Sequence, residues 1–303
     1  MYNYCITLIW NGEKMKIKIF APAKINLGLE ILKKRTDGYH EVDMVMQSIN
    51  LCDEIIVENI AENKIIVECD KDIGCSMEKN LAYKAAKVFL NYAHIQGEGF
   101  KIKIVKRIPQ EAGLAGGSSD AAAVLYALNI ITNSNISKSE MINMATEIGS
   151  DVPFCLVGGC VHATGCGTEM NSISSLSNCF LVVIKPEISI CTSEAYTLFD
   201  NFSISEFKNH NNLIKSLYKS DINVISKNIF NRFEEIINNS EISLIKKILC
   251  FNGALGAAMS GSGSAVFGIF KDKNTALKCL NKLEKNYKQI FLCQPIEHGV
   301  YVG

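Results

Sequence analysis

The chain is 303 residues long, carries 31 basic and 31 acidic side chains, and contains 12 cysteines and five histidines. At 48% hydrophobic and 20% charged it can bury a sizeable core, which excludes a disordered chain. A formal charge of zero weighs against a nonspecific nucleic-acid or polyanion binder, so any phosphate must be recognised by local geometry.

Residues 1–14 read as an extension. The apolar run Cys5–Trp10 within them is too short for a secretory signal and lacks a basic flank. No apolar run approaches the roughly 20 residues of a membrane span. Met15–Phe20 alternates polar and apolar, as a half-buried strand does. Leu27–Leu32 and Glu54–Cys69 supply further strands, the second as a β-ribbon. Asn80 is placed to cap a helix over 81–93. The alternating strand Phe100–Val105 runs into a glycine-rich loop, Gly113–Gly117, and a small-residue helix follows over Ser119–Leu128. Ser137-Lys138-Ser139-Glu140 is a capping box for a helix ending near Gly149. Cys160–Thr164 and Cys179–Ile184 read as strands, and residues 193–251 as mostly helical. Ala257–Phe270 reads as strand, glycine turn, strand. An amphipathic helix over Asn274–Leu283 and a strand over Gln289–Cys293 close the pattern. Interleaved strands and helices with a β-ribbon favour α+β over a doubly wound parallel sheet. The length suits two domains of ~150 residues, or one large one. Their boundary is expected near Gly158-Gly159, giving 1–158 and 159–303. None of the cysteines forms a Cys-x-x-Cys pair, and they read as buried or weakly reactive thiols of a reduced, cytosolic protein.

The segment Pro109 through Ala123 carries the strongest chemical signal. Its glycines let the backbone approach a ligand, and the start of the following helix offers N–H groups to an anion. Ser118 and Ser119 add hydroxyls for a phosphate oxygen or Mg²⁺. It is not a Walker A loop, because no lysine follows the glycines. A plain turn with Ser119 as N-cap is the bland alternative. In Ala21-Pro22-Ala23-Lys24-Ile25-Asn26-Leu27 a single lysine stands among apolar residues, either to neutralise a phosphate or to snorkel to the surface. In Gly149-Ser150-Asp151-Val152-Pro153-Phe154 the aspartate is either a base toward a hydroxyl or a helix cap. Ala257 through Phe267 offers a second small-residue loop, bordering a phosphate or merely turning a hairpin. Asp37-Gly38-Tyr39-His40 presents a ring and an imidazole that can stack on a base and read its edge, or form a solvated hairpin tip. Cys155, Cys160, His162 and Cys166 lie close in sequence but lack the Cys-x2-Cys knuckle of a structural zinc site.

Taken in this order, the five segments resemble the GHMP kinase superfamily. Pro22–Leu27, Pro109–Ala123 and Met259–Phe267 match its motifs, and the similarity spans about Met15 to Phe270. Asp37–His40 and Gly149–Phe154 are similar to the branch whose substrate carries a cytidine. The resemblance implies a two-domain α+β fold, ribosomal-protein-S5-like in the N-terminal half and ferredoxin-like in the C-terminal half. It implies ATP and Mg²⁺ as cofactors, and phosphorylation of the tertiary 2-hydroxyl of 4-diphosphocytidyl-2-C-methyl-D-erythritol to the 2-phosphate. Asp151 would receive the hydroxyl proton and Lys24 would orient that hydroxyl. Pro109, Gly113, Leu114, Ala115, Gly116, Gly117, Ser118 and Ser119 would hold the nucleotide phosphates, with Mg²⁺ at Ser118 or Ser119. Asn26, Tyr39, His40, Thr192 and Tyr196 would bind the substrate, the two tyrosines sandwiching the cytosine. Another small-molecule kinase of the superfamily, acting on homoserine or mevalonate, is the nearest alternative. A non-catalytic S5-like RNA-binding module is the more distant one. The small-molecule reading implies no nucleic-acid or membrane partner, and a monomer or homodimer. One departure is visible: Asn231-Arg232-Phe233-Glu234 stands where the family often has Asn-Asp-Leu-Glu.

Overall fold

The computed structural model describes residues 15–303 except Ile73 and Cys75, so the expected extension at 1–14 lies outside the described residues. In chain order the elements are β1 (Lys16–Lys34), β2 (His40–Ile60), β3 (Ile65–Cys69), α1 (Leu81–Tyr92), β4 (Gly99–Val105), α2 (Gly116–Ile131), α3 (Lys138–Ile148) and α4 (Val152–Val157). Next come β5 (Cys160–Thr164), β6 (Glu169–Ile173), β7 (Phe180–Lys185), α5 (Thr192–Asp200), α6 (Asn211–Tyr218), α7 (Ile222–Asn228) and β8 (Phe230–Asn231). The chain ends with α8 (Arg232–Ile237), α9 (Ser240–Phe251), β9 (Gly256–Met259), β10 (Val266–Phe270), α10 (Lys273–Leu283), β11 (Gln289–Cys293) and β12 (Tyr301–Val302).

The two strands expected over Met15–Phe20 and Leu27–Leu32 are one long strand, β1, paired antiparallel with β2. Its register slips between Pro22 and Ala23 and again between Asn26 and Gly28. Pro22 has no N–H for the ladder, and an irregularity beside it re-aims the strand. The consequence is visible in the packing. Ile17, Ile19 and Ala21 enter the core under the helices, Ala23, Ile25 and Leu27 enter a second core, and Leu29 and Ile31 return to the first. Between the two slips Lys24 and Asn26 alternate with that second-core row, so they occupy the opposite face of the strand.

The expected ribbon over Glu54–Cys69 is corrected by the sheet order β12-β1-β2-β4-β3. β4 lies between the two halves of that segment, antiparallel to β2 and parallel to β3. Parallel neighbours need a crossover, and α1 supplies it. Asn80 caps α1 by accepting from Ala82 N, and Ala82, Ala85, Ala86 and Phe89 form its buried face. Burying Phe89 stabilises the packing by about 2–3 kcal/mol.

The second sheet, β11-β7-β10-β9, is antiparallel throughout. Its strands run fourth-first-third-second in chain order, the ferredoxin-like arrangement, with α9 and α10 packed against it. The first sheet continues past Gly158-Gly159. β5 pairs with β2, β6 with β5, β8 with β1 and β12 with β1, so the change of sheet falls between β6 and β7.

Candidate active site

A cavity of about 1130 Å³ lies between the two halves, and Lys24, Asp151, the glycine loop and the Tyr39–His40 hairpin all line it. At one end, α2 begins at Gly116, three residues before the expected Ser119. Its N-cap is Ala115, at φ 57°, and no side chain caps it. The first N–H groups of α2 are therefore left for an anion at the positive end of the helix. Ser119 is not the cap: it is buried within the first turn and its hydroxyl donates to Pro22 O at 2.7 Å. Pro109 and Gly113 through Gly117 line the cavity, and Ser118 is half-buried beside them. Leu114 O accepts from Lys24 N at 3.1 Å, tying the loop to β1. Gly113 has φ +72°, and a Cβ on it would stand 2.0 Å from Ser260 O.

A buried ionic group under this loop was not singled out from the sequence. Lys106 Nζ contacts Asp53 and lies 2.8 Å from Asp120 Oδ2. Asp53 Oδ1 also accepts from Arg107 N at 2.5 Å and Ile108 N at 2.8 Å, fixing the chain that enters the loop. Burial alone would lower the Lys106 pKa, but the Asp120 and Asp53 charges outweigh it and raise it. Burial raises the Asp120 pKa against the pull of the Lys106 ammonium. Asp120 Oδ1 is buried without a hydrogen-bond partner. The only hint in the sequence is that Lys106 and Asp120 flank the glycine loop.

At the centre, Lys24 Nζ lies 2.6 Å from Asn26 Oδ1 and 3.9 Å from Asp151 Oδ2. Lys24 is almost fully buried, whereas Asp151 is 32% exposed. Asp151 occupies the N-cap position of α4, yet its side chain makes no capping bond and is left to face Lys24. Asn26, expected at the substrate, is completely buried. Its Oδ1 also accepts from Gly261 N at 3.0 Å, and its Nδ2 meets Met44 Sδ at 3.6 Å. It therefore links Lys24 to the second small-residue loop. That loop is no free hairpin turn. Ser260 Oγ donates to Gly113 O at 2.9 Å, and Asn231 Nδ2 donates to Met259 O and Gly261 O at 2.8 Å each.

At the other end, Tyr39 is 64% exposed at the hairpin tip and His40 is buried. His40 stacks on Tyr196 with ring centroids 4.5 Å apart and meets Phe199 edge-on at 5.4 Å. Its Nε2 lies 2.7 Å from Asp200 Oδ1, and the other Asp200 oxygen contacts Lys34. The Tyr196 hydroxyl is pushed up to about 12, by burial and then by the Asp151 charge. Thr192 Oγ1 lies 2.8 Å from Ser262 Oγ, joining α5 to the second loop. Tyr196 was expected to stack on a base and here stacks on His40. Tyr39 is the exposed ring of the pair.

The cysteine and histidine cluster goes elsewhere. Cys155 and Cys160 are buried, and His162 Nε2 lies 2.7 Å from Asp43 Oδ1. Among the described residues no group of three or more His, Cys, Asp or Glu is arranged to hold a metal ion. The departure at Arg232 has a local explanation. Its guanidinium forms a buried fork on Glu30 of β1, with Nε 2.7 Å from Oε1 and Nη2 2.5 Å from Oε2. Among the described residues no helix is long and apolar enough to cross a membrane.

The family model described as GHMP kinases N terminal domain matches residues 80–159, and the one described as GHMP kinases C terminal matches residues 213–289. A 4-diphosphocytidyl-2-C-methyl-D-erythritol kinase of Clostridium botulinum (strain Alaska E43 / Type E3) is 41% identical over 284 residues, covering 93% of this chain and all of the relative. Its namesake in Caldanaerobacter subterraneus subsp. tengcongensis is 40% identical over 290 residues, covering 95% of this chain and all of the relative. A crystal structure of 4-(cytidine 5'-diphospho)-2C-methyl-D-erythritol kinase superposes with a TM-score of 0.75 at 29% identity, covering 95% of this chain and 98% of that one. A homoserine kinase from Cytophaga hutchinsonii superposes with a TM-score of 0.76 at 20% identity, covering 98% and 100%, a likeness of fold alone.

Proposed function

The chain belongs to the GHMP kinase family, and on that premise we propose that it transfers the γ-phosphate of ATP to the 2-hydroxyl of 4-diphosphocytidyl-2-C-methyl-D-erythritol. The product is the 2-phosphate, an intermediate of non-mevalonate isoprenoid precursor synthesis. One observation carries the reading: the Lys24–Asp151 pair, 3.9 Å apart, stands between an uncapped helix N-terminus and the Tyr39–His40 hairpin in a single cavity. Relatives about 40% identical over nearly the whole chain bear the name of that activity.

Phosphoryl transfer requires alignment and charge neutralisation more than covalent help from the protein. The N–H groups opening α2 hold the phosphates, and Gly113 and Gly116 let the backbone come close. Lys24 orients the acceptor hydroxyl and offsets charge developing on the transferring group. Asp151, free of any capping bond, takes the hydroxyl proton as that oxygen becomes acidic late in the transfer. The residues also fit Mg²⁺. Asp120 Oδ1 is a buried oxygen without a hydrogen-bond partner, and Asp120 lines the cavity beside Gly116 and Gly117. A sparse, oxygen-only donor set suits an ion that arrives with a nucleotide. Asp120 would hold it, and when bound it would supply charge neutralisation at the phosphates. The ten described cysteines are all free thiols, which supports a reducing, cytosolic setting.

A phosphorylation assay with three acceptors tests the reading: the cytidylyl substrate, homoserine and mevalonate. Turnover confined to the cytidylyl substrate is the expected result. Preference for either of the others overturns the substrate assignment and leaves the family in place.

A further inference from the structure

α5 carries Thr192, Tyr196 and Asp200 four residues apart, hence on one helix face, and all three line the cavity. That face grips His40 from several sides. Tyr196 covers the ring's face, Phe199 meets its edge, and Asp200 Oδ1 takes Nε2 at 2.7 Å. Resting on the cytidine reading of this cavity, we propose that Asp200 is the positioning residue of the base pocket: it fixes the His40 imidazole through Nε2 and so commits Nδ1 to the cytosine edge.

The chemistry follows from the two ring nitrogens. A buried imidazole free to turn over would present either nitrogen to a ligand, and a neutral one would also exchange tautomers. A carboxylate accepting from Nε2–H removes both freedoms at once. Among the described residues Asp200 is the side-chain hydrogen-bond partner of His40, and it engages Nε2. The carboxylate is itself held, because Lys34 at the end of β1 contacts its second oxygen. Lys34, then His40, draws the Asp200 carboxyl below the usual carboxylate range, so it stays an acceptor at neutral pH. The Lys34 side chain is more than half exposed, so its contact adds little stability. Orientation is therefore its main product, and it spans the N-terminal hairpin and the C-terminal half.

The test uses the full chain with cytidine diphosphate and ATP as probes, and the variants Asp200→Ala and Asp200→Glu. Ala is a strong helix former, so α5 is retained. Asp200→Ala should weaken cytidine diphosphate binding and raise KM for the cytidylyl substrate about tenfold, the loss of one charge-assisted hydrogen bond. KM for ATP and kcat should stay within about twofold of wild type, and Asp200→Glu should recover part of the loss. The ¹⁵N shifts of the His40 ring, which report its tautomer, should move in Asp200→Ala. Unchanged cytidine diphosphate affinity, an equal loss for ATP, or unmoved His40 shifts each overturn this inference while leaving the proposed activity standing. Wild-type protein that binds no cytidine diphosphate overturns the substrate reading and this inference together.

Discussion

The two ends of the cavity are built from different material. The phosphate end is backbone: an uncapped helix start and glycines pressed against Ser260, drawn from residues 109–119 and 260–263. The base end is side chains: Lys34 and His40 from one hairpin, Tyr196, Phe199 and Asp200 from α5. A backbone site tolerates loss of side chains but not the addition of one, because a Cβ occupies the space the ligand or the neighbouring chain needs. A side-chain site behaves in the opposite way. The zero net charge fits this division, since the anionic end needs oriented amides and a few placed cations and no global field.

The largest effect is expected where the two ends meet. Asp151→Asn should lower kcat on the order of a thousandfold and change neither KM by more than about threefold, since it removes a proton acceptor and keeps the shape. Steady-state kinetics with both substrates varied checks this, and near-normal kcat removes Asp151 from the chemistry. Next comes the addition of one methyl group at the phosphate end. Gly113→Ala places a Cβ 2.0 Å from Ser260 O at φ +72°, so the loop must move. ATP affinity should fall roughly a hundredfold, with a smaller loss for the cytidylyl substrate. Equal losses for both ligands would mean that the ends are not separable.

The same division explains what could be read from the sequence. The glycine loop was legible because a backbone site leaves a contiguous signature, small residues in a row between a strand and a helix. Lys24 and Asp151 were legible as lone charges in apolar segments, but their 3.9 Å approach was not. It depends on the first two of the three register slips of β1, at Pro22/Ala23 and Asn26/Gly28, which turn Lys24 toward α4, and period-two reasoning breaks across a slip. Local alternation also broke β1 into two strands and joined β2 to β3, because strand order is set by tertiary pairing. The start of α2 was misplaced for a related reason. Ser119 has the residue type of a cap, but Ala115 in the left-handed region lets the helix begin three residues earlier. Asn26 sits in a family motif, yet full burial gives it to Lys24 and Gly261. Asp53 and Asp200 left no local mark, since each matters through partners far away in the chain.

Removing a side chain from the base end should have a smaller and selective effect. His40→Ala should raise KM for the cytidylyl substrate by roughly thirtyfold and leave KM for ATP within about twofold. The comparison with Gly113→Ala is the useful one, because each variant should spare the ligand that the other loses. If His40→Ala impaired ATP equally, α5 and the second loop would be transmitting the defect through the Thr192–Ser262 contact.

The smallest effect is expected from acid. His210 is buried against Gly28, and its Nε2 lies 2.9 Å from the Asp43 carbonyl, to which it donates. Burial lowers its pKa below the ordinary imidazole value of about 6.5, with Asp43 pulling upward, His162 downward and Glu30 upward. The unfolded chain therefore binds more protons than the folded one near that pH, so stability rises with pH there. The contribution is complete above about pH 6.5 and is lost as pH falls through the lower folded value. Tm should drop by a few degrees between about pH 7 and pH 5, and His210→Gln, which keeps a donor without the charge, should flatten that slope. His210 packs on β1 and β2 next to the base end, so amides of residues 42–45 should lose exchange protection before those of 117–121. Equal loss in both segments, or the same Tm slope in His210→Gln, would place the acid-labile point elsewhere and remove the mechanical independence of the two ends.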